Sequence, residues 1–380
     1  MATVTWYEGL GAYAHFYLMW YGDLTLKNST GERAVFAADN GVRMVLVGED
    51  LAFDGSDATA GTVTAVRFFT RDGDPIIAFE DLSLSAVEMQ RGIETLGWFS
   101  GFVEEVLKGD DTIIGSANGE QIYGTAGNDL IGGGGGNDVI YGYSGAEMMF
   151  GGLGADQLYG GAGRDTIYGE HGADTLVGSK GRDILIGGLG SDAVSGAAGR
   201  DVVKGGPGDD LLYGGGARDI LLGNGGGDAV FGQKGIDEAY GGRGNDFLFG
   251  GQDTDLLAGG RGRDTLAGGA GADVFQFARV AWSPADKTGR DVITDFNRRH
   301  FDIIDLSPID ADRTTSGHQP FAFVGEAAFS GTAGELRYRQ KGNGDTLVLG
   351  DVDGDGEADL AIRLQNFQAE LTTADFILSF

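Results

Sequence analysis

The sequence predicts an all-β dominated protein organised around a long central stack of short strands. Glycine is unusually abundant, at 72 residues against 5 prolines in a chain of 380, and it lacks the three-residue period of collagen. Residues 106–276 instead keep a period of nine through nineteen consecutive repeats without insertion or deletion. Every repeat carries an acidic residue at the same position. These observations predict a repeating backbone with a turn in each repeat, flanked by a smaller domain on either side.

The repeat follows the frame G-G-x-G-x-D-x-U-x, in which U is apolar; residues 151–159 (GGLGADQLY) and 241–249 (GGRGNDFLF) are clean copies. Glycines at positions one, two and four allow turns with positive φ and let main-chain carbonyls converge. The x-U-x segment predicts a short strand whose middle side chain points inward. Two repeats then form one coil of eighteen residues, so that repeats n and n+2 stack on the same side.

The acid at position six is the candidate metal ligand. Stacked turns offer two carboxylates and several carbonyl oxygens to one ion, and such hard oxygen ligands select calcium. The alternative is that these aspartates only form turns. An acid at one phase of nineteen turns favours calcium, because stacked carboxylates without a cation would repel one another. The predicted carboxylate ligands are Asp111, Asp129, Asp138, Asp156, Asp165, Asp174, Asp183, Asp192, Asp201, Asp210, Asp219, Asp228, Asp237, Asp246, Asp255, Asp264 and Asp273.

Glycines at position four are predicted to add carbonyl ligands. They are Gly127, Gly136, Gly154, Gly163, Gly172, Gly181, Gly190, Gly199, Gly208, Gly226, Gly235, Gly244, Gly262 and Gly271. The pattern departs from the frame at Asn118, Glu120, Glu147, Ala217 and Asp253, and sites that involve these residues are not expected.

With this frame, the array resembles the calcium-binding RTX repeats of proteins that type I secretion systems export. The resemblance implies a right-handed parallel β-roll that binds multiple Ca²⁺ ions in a row along each edge. It also implies a secreted, extracellular protein.

Two further columns follow from the eighteen-residue coil. Position five carries Arg164, Arg182, Arg200 and Arg218, which either bind an anionic polysaccharide or cell surface, or only offset neighbouring acids. Position nine of alternate repeats carries Tyr123, Tyr141, Tyr159, Tyr213, Phe231 and Phe249. These aromatic side chains either form a contact surface or stabilise the sheet by stacking across strands.

Residues 277–380 are predicted to be β-rich, with strands in the four apolar runs Asp291–Phe296, Phe321–Val324, Thr346–Leu349 and Ala361–Leu364. Segments 291–296 (DVITDF), 302–310 (DIIDLSPID) and 351–364 (DVDGDGEADLAIRL) resemble the carboxy-terminal domain of serralysin-type metalloproteases. The family usually has a glycine turn where this chain has Arg298 to His300. The final residues 375–380 (DFILSF) resemble a type I secretion signal, which implies the type I secretion machinery as a partner.

One loop in this segment is spaced like the start of a calcium loop, with Asp351, Asp353, Asp355 and Asp359 around Gly356. Ile362 stands where an EF-hand has its bidentate acid. An acidic hairpin turn is therefore the preferred interpretation.

Residues 1–105 predict a small α+β domain of unknown activity that caps the first coil. Strands are expected at Arg33–Ala37, Val42–Val47, Thr62–Thr70 and Ile76–Phe79, and helices at 85–95 and 98–107. The apolar segment 10–21 is best interpreted as a buried element, and no cleavable leader is expected because no Lys or Arg precedes Lys27.

Composition and motifs exclude several functions. The net charge of −30 disfavours nucleic acid, and no apolar run is long enough for a transmembrane segment. None of the four histidines forms an HExxH motif, there is no GxSxG motif and there is no cysteine, so an enzyme is not expected. A non-catalytic surface, matrix or adhesion protein is the first expectation. The alternatives are a membrane-active protein that inserts segment 10–21, and an accessory carbohydrate-binding module.

Overall fold

The computed structural model describes residues 109–379 and, before them, the backbone of seven strands between Thr3 and Ser85. The chain folds as two compact units, Met1–Asp183 and Ile184–Phe380. No α-helix occurs among the described residues. The all-β class predicted from the repeat is confirmed.

The first unit begins with strands β1 Thr3–Trp6, β2 Thr25–Thr30, β3 Arg33–Ala37, β4 Arg43–Asp54, β5 Asp57–Phe69, β6 Pro75–Glu80 and β7 Leu84–Ser85. Strands β2 to β6 pair in antiparallel succession, and β1 pairs with β6. Strands β3, β4, β5 and β6 overlap the four predicted strands, and β4 and β5 are longer than predicted. Segment 10–21 and residues 86–107 of the two predicted helices lie outside the described residues.

Eight strands follow, one for each nine-residue repeat: β8 Thr112–Ile114, β9 Gln121–Tyr123, β10 Leu130–Gly135, β11 Val139–Gly145, β12 Met148–Leu153, β13 Gln157–Gly163, β14 Thr166–His171 and β15 Thr175–Gly181. Strands β8, β10, β12 and β14 form one parallel sheet, and β9, β11, β13 and β15 form another. Every pairing has a register of eighteen residues, for example Ile140 opposite Leu158. Strand β1 pairs in parallel with β8, so the amino-terminal strands extend the first coil.

The second unit continues the repeat through β16 Ile184–Leu189, β17 Ala193–Gly199, β18 Val202–Pro207, β19 Leu211–Gly216, β20 Ile220–Gly225, β21 Ala229–Lys234, β22 Glu238–Arg243, β23 Phe247–Gln252, β24 Leu256–Arg261, β25 Thr265–Ala270 and β26 Val274–Gln276. Alternate strands again pair in parallel with a register of eighteen residues. Each unit therefore contains a parallel β-solenoid with two strands per coil, as the repeat frame predicted.

The carboxy-terminal segment of the second unit contains two 3₁₀ turns, Val280–Trp282 and Thr373–Asp375, and the strands β27 Val292–Ile293, β28 Ile303–Asp305, β29 Ala322–Gly325, β30 Glu335–Gln340, β31 Thr346–Asp351, β32 Leu360–Leu364 and β33 Phe376–Ile377. Strands β30, β31 and β32 form an antiparallel meander. Strands β27 and β28 extend the two solenoid sheets by pairing with β25 and β26. Each of the four apolar runs predicted to be a strand overlaps one.

The core is a column of apolar side chains at position eight of the repeat. Its members are at most 2% exposed, from Ile113 and Ile122 through Leu158 and Leu212 to Phe275. Because side chains alternate faces along a strand, positions six and eight both point inward. Each buried aliphatic side chain of this kind contributes about 1.5–3 kcal/mol relative to an exposed one. The same geometry also draws the acid at position six into the interior.

Candidate metal sites

The acidic ladder, defined as the position-six residues from Asp111 to Asp273, is buried along its whole length. Its aspartates are at most 3% exposed, and its two glutamates, Glu120 and Glu147, are 5% and 2% exposed. A buried carboxylate is costly unless hydrogen bonds or a cation compensate its charge. The way in which each oxygen is satisfied therefore decides what the ladder can bind.

One oxygen of most ladder aspartates accepts a main-chain hydrogen bond from the coil before it. The N–H of Asp138 donates to Oδ1 of Asp156 at 2.7 Å, and the N–H of Asp246 donates to Oδ1 of Asp264 at 2.9 Å. The donor always precedes the acceptor by eighteen residues within the repeats. This contact fixes the orientation of each carboxylate relative to its neighbour.

The second oxygen is buried and has no hydrogen-bond partner in much of the ladder. This holds for Oδ2 of Asp129, Asp138, Asp156, Asp165, Asp210, Asp219, Asp228, Asp237, Asp246, Asp255, Asp264 and Asp273. Native proteins seldom leave buried polar atoms unpaired, and a regular series of them indicates a missing ligand. The residues present therefore fit a metal cation.

A carbonyl oxygen faces the same space as the unpaired carboxylate oxygen. The point where a Cβ on Gly133 would lie is 2.3 Å from Oδ2 of Asp138 and 2.5 Å from the carbonyl oxygen of Gly151. The equivalent point at Gly250 is 2.5 Å from Oδ2 of Asp255 and 2.7 Å from the carbonyl oxygen of Gly268. A side chain at position one would fill this space, so glycine keeps it open for an ion.

The position-one carbonyls were missed as candidate ligands in the sequence analysis. The available signal was the glycine at position one of every repeat after the first. That glycine was expected to allow turns and the convergence of carbonyls, but only the position-four carbonyls were named as ligands. In the structure, it also brings a carbonyl of the next coil beside a ladder carboxylate.

The position-four glycines pack directly against the preceding coil. Gly163 has φ of 156°, and a Cβ there would lie 1.3 Å from the carbonyl oxygen of Gly145. Ala217 and Asp253 occupy position four with φ of 87° and 76°, so their coils keep the left-handed backbone without glycine. The assignment of the position-four carbonyls as calcium ligands stays a prediction.

Burial raises the pKa of many ladder aspartates above their ordinary value of 3.8. It raises the pKa of Asp129, Asp138, Asp210, Asp219 and Asp246 to about 7, although the main-chain hydrogen bond to each lowers it. Charges of neighbouring ladder acids add to the rise. A bound cation would favour the ionised form and lower these pKa values.

The two glutamates of the ladder differ from each other. Ser116 donates to both oxygens of Glu120, from its N–H at 3.1 Å and its hydroxyl at 2.5 Å. Protein donors therefore satisfy Glu120, in agreement with its exclusion from the predicted ligands. Burial raises the pKa of Glu147 to about 9, and both of its oxygens are buried without hydrogen-bond partners. Glu147 thus resembles the aspartates more than the sequence predicted.

The arginine column is exposed, and part of the aromatic column stacks across strands. Arg164, Arg182, Arg200 and Arg218 are all exposed, and Arg218 lies 3.4 Å from Glu238 in an exposed ion pair. In the aromatic column, the rings of Tyr123 and Tyr141 stack at 5.5 Å, those of Tyr141 and Tyr159 at 5.0 Å, and those of Tyr213 and Phe231 at 5.2 Å. Stacking across strands is therefore one role of the aromatic column.

A groove of about 920 Å³ runs across the second unit where positions nine, two and three of successive coils meet. Its lining includes Ser195, Gln233, Lys234, Phe249 and Gln252, with glycines between them. The groove thus combines one aromatic ring, two amides, a hydroxyl and an ammonium group.

In the acidic loop of the carboxy-terminal segment, oxygens of Asp351, Asp353 and Asp359 lie within 4.8 Å of one another. Both oxygens of Asp351 accept main-chain hydrogen bonds, from Gly354 at 2.7 Å and from Gly356 at 3.0 Å. These contacts are typical of a tight acidic turn, which is the interpretation that the sequence favoured.

The family comparison agrees with this geometry. Nine overlapping segments, from 107–131 to 250–277, match the family model described as the RTX calcium-binding nonapeptide repeat. Residues 107–277 are RTX repeats. RTX repeats bind Ca²⁺ at multiple sites. Buried aspartates with one hydrogen-bonded oxygen and one oxygen without a partner are consistent with that chemistry.

Two solved structures are similar to this chain. One is the R3 subunit of the mannuronan C5-epimerase AlgE6 from Azotobacter vinelandii, with 29% identity, a TM-score of 0.23, and coverage of 43% of this chain and 80% of that one. The other is the R2 subunit of the same enzyme, with 23% identity, a TM-score of 0.27, and coverage of 47% and 92%. No curated protein sequence matches the chain. Within the described residues, no helix has the length and apolar character needed to cross a membrane.

Proposed function

We propose that this protein leaves the cell unfolded through type I secretion machinery and folds outside on binding calcium, to act as a non-catalytic surface or matrix protein. The observation that supports calcium-dependent folding is the series of buried ladder oxygens without a hydrogen-bond partner. Folding without a cation would bury these carboxylates uncompensated or require their protonation. The RTX repeats supply the calcium affinity.

Calcium acts on the folding equilibrium because the stacked turns exist only in the folded chain. An ion that binds the folded state but not the unfolded state stabilises the fold in proportion to the logarithm of its concentration. Extracellular calcium modules have dissociation constants of about 10⁻⁴ to 10⁻³ M. The repeats would therefore be unfolded at cytosolic calcium and folded at extracellular calcium.

The carboxy-terminal residues fit export before folding. In the folded chain, Asp375 and Phe376 are 4% and 7% exposed, and Phe376 pairs with Ile304. Arg298 donates to Oδ1 of Asp375 at 2.6 Å. The first two residues of a secretion signal in 375–380 would therefore be buried in the folded chain and accessible in the unfolded chain. The resemblance of residues 277–380 to serralysin-type domains supports the same role.

The test of calcium-dependent folding is a calcium titration of the full chain followed by far-ultraviolet circular dichroism, with magnesium as control. The expected result is a cooperative gain of β signal near millimolar calcium that magnesium does not produce. A chain that is already fully folded in chelator would contradict the proposal.

Export is tested by expressing the chain with and without a type I exporter and measuring the protein in the medium. We expect export to require both the exporter and residues 375–380. Folding of the truncated chain, checked by the same titration, separates a lost signal from a lost fold. Equal export without these residues would remove them as the signal.

The groove favours a second candidate function, binding of a polysaccharide. Aromatic rings and amide side chains bind sugars by stacking and hydrogen bonding, and Lys234 adds a positive charge for an acidic polymer. Glycan arrays probed in saturating calcium would test it. Reduced binding by Phe249→Ala and Lys234→Ala, with unchanged binding by Arg164→Gln and Arg182→Gln, would assign recognition to the groove rather than to the arginine column. The absence of binding to any glycan would remove this candidate.

A further inference from the structure

The acidic ladder continues beyond the last nine-residue repeat. The N–H of Asp264 donates to Oδ1 of Asp291 at 2.8 Å, which is the contact that joins successive ladder aspartates within the repeats. Val292 lies opposite Thr265, as the residue after each ladder aspartate does in the solenoid. Asp291 therefore occupies position six of the next coil, although the separation is 27 residues instead of eighteen.

The longer connection holds Asp291 in place. It contains the 3₁₀ turn Val280–Trp282, and Ser283 follows it as a fully buried residue. The Ser283 hydroxyl accepts the N–H of Asp291 at 2.9 Å and donates to the carbonyl oxygen of Ala361 at 2.7 Å. Asp291 is thus fixed between the solenoid and the antiparallel meander of the carboxy-terminal segment.

Asp291 has the same unsatisfied oxygen as the repeat aspartates. Its side chain is 0% exposed, and its Oδ2 has no hydrogen-bond partner. The same holds for Asp264, the preceding member of the ladder. The neighbouring Arg290 turns its guanidinium to the carbonyl oxygen of Ala285 at 2.5 Å.

The other edge of the solenoid ends differently. Asp302 follows Asp273 in the ladder and accepts its N–H on Oδ1 at 3.3 Å. However, Oδ2 of Asp302 accepts the N–H of Asn297 at 2.7 Å. Main-chain donors therefore satisfy both oxygens of Asp302, which acts as a protein-built cap for that edge.

We propose that Asp264 and Asp291 bind a Ca²⁺ ion outside the nine-residue repeats, whereas Asp302 closes its edge without an ion. The ion joins the last coil of the repeats to the first strand of the carboxy-terminal segment. Calcium then controls the docking of that segment as well as the folding of the repeats. This inference rests on the proposed calcium binding and extends it to a residue beyond the repeats.

The test counts bound calcium in the full chain by equilibrium dialysis and elemental analysis at saturating calcium, for Asp291→Asn and for the matched variant Asp302→Asn. We expect Asp291→Asn to bind one ion fewer than the unmodified chain and Asp302→Asn to bind the same number. An unchanged number for Asp291→Asn would overturn the inference. No bound calcium in the unmodified chain would instead refute the proposed function.

A second measurement does not depend on the folding of a variant. Crystals of the unmodified chain grown with terbium should give an anomalous peak between the carboxylates of Asp264 and Asp291. Peaks along the repeats without one at this position would overturn the inference. The absence of peaks throughout would count against the whole calcium ladder.

Discussion

The repeats and the carboxy-terminal segment both bury many carboxylates, but they satisfy them in different ways. In the repeats, a ladder aspartate such as Asp219 uses one oxygen for the N–H of Asp201 and leaves the other without a hydrogen-bond partner. In residues 277–379, buried carboxylates other than Asp291 have donors for both oxygens, as Asp302 and Asp351 illustrate.

Asp345 is the clearest case in the carboxy-terminal segment. Arg363 donates to its Oδ2 at 2.8 Å, and the N–H of Asn366 donates to its Oδ1 at 3.1 Å. Burial alone would raise the pKa of Asp345, but the hydrogen bonds from Asn366, Arg363 and Asn343 outweigh it and hold the pKa below 3.8. At this position a protein side chain, Arg363, supplies the positive charge beside the buried carboxylate.

The difference shows that a buried carboxylate does not require a metal ion simply because it is buried. A buried carboxylate with a complete set of protein donors stabilises a fold at any calcium concentration. A series of buried carboxylates in which only one of the two oxygens accepts a hydrogen bond makes folding depend on a bound cation. The two regions should therefore respond differently to calcium, to substitution and to pH.

The largest expected effect is that of calcium removal. In chelator, we expect amides of residues 109–276 to exchange rapidly, whereas those of the β30–β32 meander keep measurable protection, because the meander satisfies its own polar groups. Hydrogen exchange with mass spectrometry of the full chain, in chelator and in calcium, measures both regions at once. Equal protection of the repeats in chelator and in calcium would contradict the claim that their fold depends on calcium.

A methyl group at position four should be the most damaging substitution in the repeats. Gly163→Ala would place a Cβ 1.3 Å from a main-chain oxygen at φ of 156°, and we expect a loss of about 3 kcal/mol or more. Gly342→Ala is the matched control in the other region, since nothing lies within 4 Å of its Cβ position. Thermal unfolding in saturating calcium measures both, and equal melting temperatures would contradict the packing argument.

Neutralising one carboxylate in each region should separate their roles. Asp219→Asn keeps an oxygen for the N–H of Asp201 but removes a ligand charge, so we expect a higher calcium midpoint and no loss of structure in chelator. Asp345→Asn removes the partner of Arg363, and we expect a loss of about 1–3 kcal/mol in both conditions.

Circular dichroism titrations measure the calcium midpoint for both variants, and hydrogen exchange measures the stability of the meander. If Asp219→Asn destabilised the chain equally with and without calcium, the carboxylate would have a structural role rather than a metal-binding one.

The stability of the repeats should depend on pH with opposite signs in the absence and in the presence of calcium. The pKa of ladder aspartates such as Asp129 rises from 3.8 to about 7 on folding, so the folded chain binds more protons than the unfolded chain between these values. Without calcium, the stability of the repeats is greatest at low pH and is lost as the pH rises through about 7. With calcium, protons compete for the same oxygens, and the calcium midpoint should rise as the pH falls.

Circular dichroism in chelator at pH 8 and pH 5, and calcium titrations at pH 8 and pH 6, test both signs. The meander provides the internal control, because the pKa of Asp345 is lowered and its carboxyl stays ionised in this range. A chelated chain whose β signal falls between pH 8 and pH 5 would contradict the assignment.

The smallest expected effect concerns the left-handed backbone at position two. Among the described residues, seven that are not glycine adopt positive φ there: Thr125, Tyr143, Glu170, Ser179, Ala197, Asn224 and Gln233. This conformation costs about 1–2 kcal/mol for an ordinary residue, part of which glycine would recover. We expect the exposed Glu170→Gly to stabilise the calcium-bound chain by less than about 1 kcal/mol. A decrease in its melting temperature would show that the Glu170 side chain contributes more than the backbone costs.

Much of the solenoid could be predicted from the sequence because the repeat makes each coil the environment of the next. The period of nine predicted the parallel pairing, the core at position eight and the inward-facing ladder. It also predicted that aromatic side chains would line one sheet. It did not predict that both carboxylate oxygens of Glu147 would be buried without hydrogen-bond partners. The hydrogen bonds of a longer side chain depend on donors that lie one coil away.

The sequence by itself determined the coil, its core and the calcium chemistry of residues 106–276, because one local pattern repeated nineteen times leaves a single consistent way to stack. Only the tertiary structure decided which carboxylate oxygens have protein donors and which do not. It also placed Asp291 and Asp302 at the carboxy-terminal end of the ladder, one on each edge of the solenoid, at separations of 27 and 29 residues from Asp264 and Asp273. Connections of irregular length hide that register in the sequence, since their path is set by packing against distant strands rather than by a local period.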